Sequence, residues 1–141
     1  MSDEIVLDAS VAVDWLLPGP GSSAALTFLR LGARRIAPDL IFAEFASAAT
    51  KFVRRGLTSK GDARVAVERL PQLIDEVAPL CDLAGPALEL ATGRGFSAYD
   101  SIYLALALRR GLRVVTADEK LAKRAAELGF SAHVHLLTPE P

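Results

Sequence analysis

Residues 4–17 read E-I-V-L-D-A-S-V-A-V-D-W-L-L, and the start of this stretch decides the fold. The apolar run at residues 5–7 is uninterrupted, as expected for a strand that is covered on both faces in a parallel sheet. It ends at Asp8, and a helical pattern follows at about residues 10–17. Because a buried strand leads directly into a helix, the sequence indicates a layered α/β domain.

The rest of the chain alternates short apolar runs with longer helical patterns, which is typical of a mainly parallel sheet with helices on its faces. Pro71 predicts a kink or a break in the helix that contains it. Further helices are predicted at about residues 22–31, 38–55, 58–76, 86–92, 98–110 and 119–128, and further strands at about residues 35–37, 77–83, 113–116 and 133–137. We therefore predict one three-layer α/β/α domain, residues 1–141, with a mainly parallel central sheet of about four to five strands.

Composition and charge exclude several classes of protein. With 16 Lys and Arg against 17 Asp and Glu, the net charge of -1 excludes a uniformly basic coat protein for nucleic acid, and a 51% hydrophobic content excludes a disordered acidic tail. A single cysteine and two histidines near the end leave oxygen ligands for any metal site. No stretch of about 18 apolar residues occurs, so we expect a cytoplasmic protein with no membrane association.

Two aspartates follow predicted strands. Asp8 ends the first strand and Asp118 follows the strand at residues 113–116, so both lie at the sheet edge where open parallel sheets bind ligands. A helix also follows each of them, and Asp is a favoured N-cap residue. The sequence therefore leaves two interpretations for each aspartate, a ligand-binding carboxylate or a helix cap.

Glu44 lies beside the apolar stripe of its predicted helix, one turn from both Ile41 and Ala48. A carboxylate that faces the core in this way must be paired, protonated or bound to a cation, because burying an unpaired charge is costly. The alternatives to a bound cation are a buried ion pair with an arginine and an edge position from which the side chain reaches solvent.

Asp100 opens the most hydrophobic helix of the chain, at a spacing from Ser97 that fits a capping box. Taken alone, Asp100 is better explained as part of that cap than as a ligand. Taken with Asp8, Glu44 and Asp118, it completes a set of four carboxylates that would repel one another without a divalent cation. Oxygen ligands favour Mg²⁺ or Mn²⁺ over zinc, and such a site typically polarises a phosphodiester and lowers the pKa of an attacking water.

Four segments, taken together, match a known pattern along nearly the whole chain. They are V-L-D-A-S-V at residues 6–11, the isolated Glu44, F-S-A-Y-D-S-I-Y at residues 96–103 and V-V-T-A-D-E-K-L at residues 114–121. In this order and spacing they resemble the PIN domain, and specifically the VapC-like toxins of type II toxin-antitoxin pairs.

The resemblance implies a PIN-like fold and a Mg²⁺-dependent endoribonuclease, with Mn²⁺ as a substitute ion. At the matching positions, Asp8 and Asp100 are implied to be the most direct metal ligands. Glu44 and Asp118 are implied to complete the shell, to orient water or to hold a second ion. All four acids of the family pattern are present in this sequence.

Two hydroxyls accompany the acids. Ser10 follows Asp8 by two residues, and Thr116 precedes Asp118 by two residues. Each fits an ordinary role, Ser10 at a helix start and Thr116 in a strand, and each is also placed to hold a carboxylate or a metal-bound water. Both resemble supporting hydroxyl positions of the family.

RNA binding requires positive charge beside an acidic site. Residues 51–75 hold six basic and three acidic side chains, and a second basic group lies at residues 109–113. We expect contacts with RNA phosphates from Lys51, Arg54 and Arg55. The alternative is that these residues occupy solvated helix faces and helix carboxyl ends, where cations are also favoured.

Partners are predicted from both the sequence and the resemblance. The apolar segment at residues 15–17, with the helices after it, predicts a surface for a dimer contact or for an antitoxin. The resemblance implies a homodimer and a VapB-like antitoxin whose carboxyl-terminal segment lies across the active-site cleft.

Other functions stay open at this point. A PIN-type nuclease for RNA processing would use the same chemistry, and a small antitoxin gene beside this one would separate the two. A receiver-like signalling module would need a lone Asp at the end of a middle strand and a Lys after the last strand, and neither is evident. A non-catalytic metal-binding domain would carry the acid cluster for structural reasons alone.

Overall fold

The computed structural model describes residues 3–138, and its strands form one parallel sheet. The strands are β1 Glu4–Leu7, β2 Arg34–Pro38, β3 Glu76–Ala78, β4 Val114–Thr116 and β5 Val134–Leu136. Their order in the sheet is β3-β2-β1-β4-β5, which places β1 in the middle. Because β1 pairs in parallel with β2 and β4, the residue after β1, Asp8, emerges at the centre of the carboxyl edge.

Seven α-helices flank the sheet in the described part of the chain. They are α1 Ala9–Leu16, α2 Ser22–Leu29, α3 Leu40–Arg54, α4 Lys60–Arg69, α5 Leu80–Arg94, α6 Ala98–Arg110 and α7 Glu119–Glu127. The predicted three-layer architecture with a parallel central sheet is confirmed. Within residues 3–138, none of the helices is long and apolar enough to cross a membrane.

Different helices bury the two faces of the sheet. Ile5 and Leu7 of β1 face a core that includes residues from α1 to α4, in which Phe45 is fully buried. Val6 points to the opposite face and belongs to a core with Tyr103 and Leu106 of α6. This division follows from the two-residue period of a strand, and it explains why the whole run is apolar.

Helix α6 carries part of the candidate site and is bounded by well-defined caps. Ser97 accepts a hydrogen bond from the backbone N–H of Asp100 at 3.1 Å, as an N-cap residue does. Gly111 ends the helix with a φ of 65°, a conformation that glycine adopts without steric cost. Both ends of the helix are thereby fixed in position.

The strand predicted at residues 77–83 is shorter than expected. It ends at Ala78, because Pro79 is the N-cap of α5 and the helix begins at Leu80. The helix then continues through Pro86, which lacks a backbone N–H and removes one helical hydrogen bond. Leu83 of α5 is buried in the core that contains α6, and this packing holds the helix together across the proline.

The helix predicted at residues 58–76 is divided at Pro71, as expected. Helix α4 ends at Arg69, and a 3₁₀ turn, Leu70–Leu73, contains the proline. The predicted kink or break is therefore confirmed as a change of helix type.

The apolar segment at residues 15–17 is partly covered within the chain, so the partner surface predicted from it stays a prediction that rests on the residues after it, where Leu26 is 42% and Leu31 69% exposed. Trp15 and Leu16 are half-buried and Leu17 is buried. The indole N–H of Trp15 donates to the carbonyl of Ala25 in α2, and the Arg35 guanidinium lies over the indole ring. Helix α2 folds back over this segment and uses its apolar surface.

Candidate active site

Asp8 is a nearly buried carboxylate, 9% exposed, at the carboxyl end of the central strand. Its Oδ2 accepts hydrogen bonds from the Ser10 hydroxyl at 2.5 Å and from the Thr116 hydroxyl at 2.7 Å. Although Asp8 occupies the N-cap position of α1, its side chain makes no capping bond. The parallel pairing of β1 with β4 brings Thr116 to Asp8 from the neighbouring strand.

The same two hydroxyls also fix the loop after β4. The Ser10 hydroxyl accepts from the backbone N–H of Ala117 at 2.9 Å, and the Thr116 hydroxyl accepts from the backbone N–H of Asp118 at 3.0 Å. One network therefore holds Asp8 and the residue that precedes α7. Ser10 and Thr116, predicted as supporting hydroxyls, both contact Asp8.

Asp118 caps α7, as one interpretation of the sequence predicted. Its Oδ1 accepts from the backbone N–H groups of Lys120 at 2.9 Å and Leu121 at 3.3 Å. Both bonds end at the same oxygen, so capping uses one of the two carboxylate oxygens.

Glu44 is half-buried on α3 and has a tyrosine as its partner, not an arginine. The hydroxyl of Tyr103, which is 1% exposed, donates to Glu44 Oε1 at 2.6 Å. Burial raises the pKa of Glu44, the Tyr103 hydrogen bond opposes this, and the carboxylates of Asp8 and Asp100 raise it further. Burial and the charges of Asp8 and Glu44 also raise the pKa of Tyr103, so this hydroxyl stays a donor.

Burial and neighbouring charges raise the pKa values of both Asp100 and Asp8, and Asp8 is the more deeply buried of the two. Burial raises the pKa of Asp100, the Ser97 hydroxyl opposes this, and the charges of Asp118 and Asp8 raise it further. Burial likewise raises the pKa of Asp8 against the hydrogen bonds from its two hydroxyl partners, and Asp118 adds to the rise. The four predicted acids are therefore near enough to interact electrostatically. The raised pKa values mean that the ionised forms of Asp8, Glu44 and Asp100 are destabilised.

The four carboxylates have no basic side chain as an ion-pair partner within the described residues. Among residues 3–138, none of the four carboxylates forms an ion pair with Lys, Arg or His. We refer to Asp8, Glu44, Asp100 and Asp118 as the carboxylate cluster.

The donor chemistry of the carboxylate cluster fits a divalent cation that prefers oxygen. The two histidines lie elsewhere, His133 against the carbonyl of Leu112 and His135 against the ring of Phe28. Within the described residues, no three acidic, His or Cys side chains converge closely enough to form a ready metal shell. The four carboxylates match such an ion in charge and oxygen chemistry, although their side chains do not already form its shell.

The three predicted RNA-binding residues lie in two different grooves. Lys51 and Arg55 line a groove of about 570 Å³ beside Glu44, between α3 and the start of α6. We call it the α3–α6 groove. Arg54 instead lines a second groove, between α3 and α4, together with Lys60 and Arg64.

Two residues near the cluster were not given a role by the sequence reasoning. Tyr103 ends the segment at residues 96–103, and its position within an apolar helix is the only signal that its hydroxyl needs a buried partner. Ser101 is fully buried, and its hydroxyl has no hydrogen-bond partner in residues 3–138. No pattern in the sequence distinguishes Ser101 from a surface serine.

Two known proteins are similar to the chain over most of its length. Ribonuclease VapC1 of Mycobacterium tuberculosis is 36% identical to the chain over 124 residues, which are 85% of the chain and 90% of that protein. Ribonuclease VapC3 of Pyrobaculum aerophilum is 28% identical over 123 residues, which are 86% of the chain and 94% of that protein.

The fold is also found among solved structures. The crystal structure of PAE2754 from Pyrobaculum aerophilum matches with a TM-score of 0.65 at 23% identity, covering 86% of the chain and 84% of that protein. A family model described as PIN domain matches residues 5–127. On the evidence of that match and of the 36% identical relative, this chain belongs to the PIN domain family.

Proposed function

We propose that the chain is a Mg²⁺-dependent endoribonuclease, with Mn²⁺ as a substitute ion, and that it acts as the toxin of a toxin-antitoxin pair. The observation that carries this proposal is the carboxylate cluster at the carboxyl edge of the sheet, where the pKa values of Asp8, Glu44 and Asp100 are raised and no basic side chain of residues 3–138 forms an ion pair with them. The names of the two relatives, both ribonucleases, support the same activity.

Asp8 and Asp100 are the proposed direct ligands of the ion, and Glu44 and Asp118 complete the shell or orient water. A bound Mg²⁺ would neutralise the cluster, polarise the phosphodiester and lower the pKa of the attacking water. Ser10 and Thr116 hold Asp8 in place through the hydrogen bonds to its Oδ2.

Tyr103 positions Glu44 through the hydrogen bond to Oε1. This bond orients the carboxylate and leaves its second oxygen for water or for the ion. Because the Tyr103 side chain is buried in the core, its hydrogen bond holds the Glu44 carboxylate in place within the carboxylate cluster.

Phosphate binding is proposed for Lys51, Arg54 and Arg55. The support is strongest for Lys51 and Arg55, since both line the α3–α6 groove with Glu44. Arg54 lies on the neighbouring groove, where it would contact a phosphate only on a longer RNA.

The proposed assembly is a homodimer of single PIN domains, each comprising residues 1–141, that is neutralised by a VapB-like antitoxin in the cytoplasm. Apolar side chains with no cover lie on and before α4, which supports a partner surface there: Leu57 is 55% exposed, Val65 53% and Val67 38%. Light scattering of the purified protein tests the dimer, and Val65→Glu is expected to weaken it.

The activity is tested with purified, antitoxin-free protein and a mixture of structured RNAs, with and without Mg²⁺ or Mn²⁺. We expect metal-dependent cleavage by the natural sequence and none above background by Asp8→Ala or Asp100→Ala. Asp82→Ala is the matched control, since Asp82 is exposed on α5. Equal cleavage by all variants, or none with either metal, would contradict the proposal.

The toxin role is tested separately by controlled expression in a bacterial host. We expect growth to stop with the natural sequence and to continue with Asp8→Ala. Cleavage in the test tube without growth arrest would indicate a nuclease of RNA processing instead.

A further inference from the structure

Tyr99 is unusual among the aromatic residues of this chain because its side chain is exposed to solvent. Every other aromatic side chain in residues 3–138 is buried or half-buried, whereas Tyr99 is 62% exposed. Exposing a large apolar ring is unfavourable unless a partner covers it.

The position of Tyr99 relates it directly to the carboxylate cluster. It precedes Asp100 in α6 and lies one helical turn before Tyr103, on the same face. Tyr103 reaches Glu44 from inside the core, and Tyr99 lines the α3–α6 groove together with Glu44.

Basic side chains follow Glu44 along α3. From the helical rise, Lys51 lies about 10 Å and Arg55 about 16 Å beyond Glu44 along the helix axis. Both line the α3–α6 groove, whose wall also includes the half-buried ring of Phe52. The groove therefore presents the Glu44 carboxylate near one end, cations at the other and the exposed ring of Tyr99, the residue before Asp100.

On the basis of the proposed nuclease function, we propose that Tyr99 stacks on an unpaired base of the RNA beside the phosphate that is cut. Lys51 and Arg55 then bind phosphates of the same strand further along the groove. Bases inside a duplex have both faces covered, so this arrangement selects a single-stranded segment or loop. An aromatic ring between a cation site and basic side chains matches alternating bases and phosphates better than it matches a peptide.

The stacking is tested by fluorescence with single-stranded oligoribonucleotides that carry 2-aminopurine, whose emission is quenched when it stacks. The protein is the Asp8→Asn variant, so that cleavage does not interfere. We expect quenching at one position of the oligonucleotide, retained in Tyr99→Phe and lost in Tyr99→Leu, with affinity about tenfold weaker in the latter. Leu88→Ala is the matched control, because Leu88 on α5 is 63% exposed and lies outside the groove.

A kinetic experiment adds a readout that a purely structural role would not move. With the natural sequence and Mg²⁺, we expect Tyr99→Leu to raise KM about tenfold with little change in kcat, and Tyr99→Phe to behave as the natural protein does. The same RNA annealed to its complement is expected to be cut poorly.

The outcomes separate the two proposals. If RNA is cleaved but Tyr99→Leu changes neither quenching nor KM, the stacking role is overturned and the nuclease function stands. If Tyr99→Phe is as defective as Tyr99→Leu, the ring does not act by stacking. A groove that takes a peptide instead of RNA would leave 2-aminopurine unquenched with every variant, which would also overturn the stacking role.

Discussion

Acidic side chains lie at both edges of the sheet, but they have different neighbours. At the amino edge, Glu76 at the start of β3 forms ion pairs with Arg34 and Arg110, and Arg34 also pairs with Glu4. These hydrogen-bonded pairs lower the pKa of Glu76. At the carboxyl edge, the carboxylate cluster has hydroxyl and backbone partners, and burial raises the pKa values of Asp8, Glu44 and Asp100.

The difference supports the proposal that the charges at the carboxyl edge are functional, whereas those at the amino edge are structural. At the amino edge, two acids and two arginines balance one another's charges without a bound ion. These ion pairs lie near the surface, where such pairs contribute little to stability. The carboxylate cluster is more buried and is balanced by no basic side chain of residues 3–138. Its charge is therefore left for a ligand to compensate.

The largest expected effect is on catalysis at the carboxyl edge. Asp8→Asn removes the most buried charge of the cluster while keeping its shape, so Mg²⁺-dependent RNA cleavage should fall by roughly 100-fold or more. Initial rates on a labelled RNA measure this. Glu76→Gln is the control from the amino edge and should retain the full rate.

A rate for Asp8→Asn within a few-fold of that for Glu76→Gln would mean that the two edges do not differ in function. The two edges of the sheet would then differ only in how their charges contribute to the stability of the fold.

A smaller loss of cleavage is expected when a hydroxyl partner of Asp8 is removed. Thr116→Val keeps the side-chain shape but deletes the 2.7 Å hydrogen bond to Oδ2, and it should lower the cleavage rate by about 10- to 100-fold. Thr116→Ser is the matched control, because it restores the hydroxyl. If the valine variant cleaves as fast as the serine variant, the hydrogen bond does not position Asp8.

The two edges should also respond oppositely to pH in the absence of metal. Because the pKa values of Asp8, Glu44 and Asp100 are raised on folding, the folded chain binds protons more tightly than the unfolded chain between the ordinary and the raised values. Stability is thus lost as pH rises through that window, and the metal-free Tm should increase when pH is lowered from neutral toward the ordinary carboxyl pKa values. Calorimetry in EDTA measures this.

Glu44→Gln sharpens the same measurement. It removes one interacting charge, so it should raise the metal-free Tm at neutral pH and flatten the pH dependence. Saturating Mg²⁺ should remove most of that dependence in the natural sequence. A metal-free Tm for Glu44→Gln below that of the natural sequence would show that its carboxylate is not under repulsion.

The smallest expected effect is at the amino edge. The lowered pKa of Glu76 means that its contribution is present above the ordinary carboxyl pKa and is lost as pH falls through the folded value. Solvent screening makes this contribution weak, so Glu76→Gln should change Tm by less than about 4 °C at neutral pH, and by less still in high salt. A large, salt-independent loss would show that the amino edge is not a surface ion-pair network.

The fold and the acids of the site follow from local patterns. The apolar run of β1 and the positions of Asp8 and Asp118 after strands are sufficient to predict a parallel sheet and its ligand-binding edge. Residues 77–83 were misassigned because a short apolar run fits a strand or a buried helix equally well, and the proline within it was the signal that a helix begins there.

The partners within the site could not be predicted in the same way. Tyr103 and Glu44 meet because α6 and α3 pack on opposite faces of the sheet and both reach its carboxyl edge. Arg34 meets Glu76 only because β2 and β3 pair in one register. Such contacts join residues that are distant in sequence, so they depend on tertiary geometry that local periodicity does not encode.

Binding of Mn²⁺ or Mg²⁺ to the purified protein, measured by titration calorimetry, tests the central claim most directly. The account predicts saturable binding to the natural sequence and to Glu76→Gln, with binding abolished or strongly weakened in Asp8→Asn and Asp100→Asn. Unchanged binding in both aspartate variants, or no binding to the natural sequence, would contradict the claim that the carboxylate cluster is a cation site.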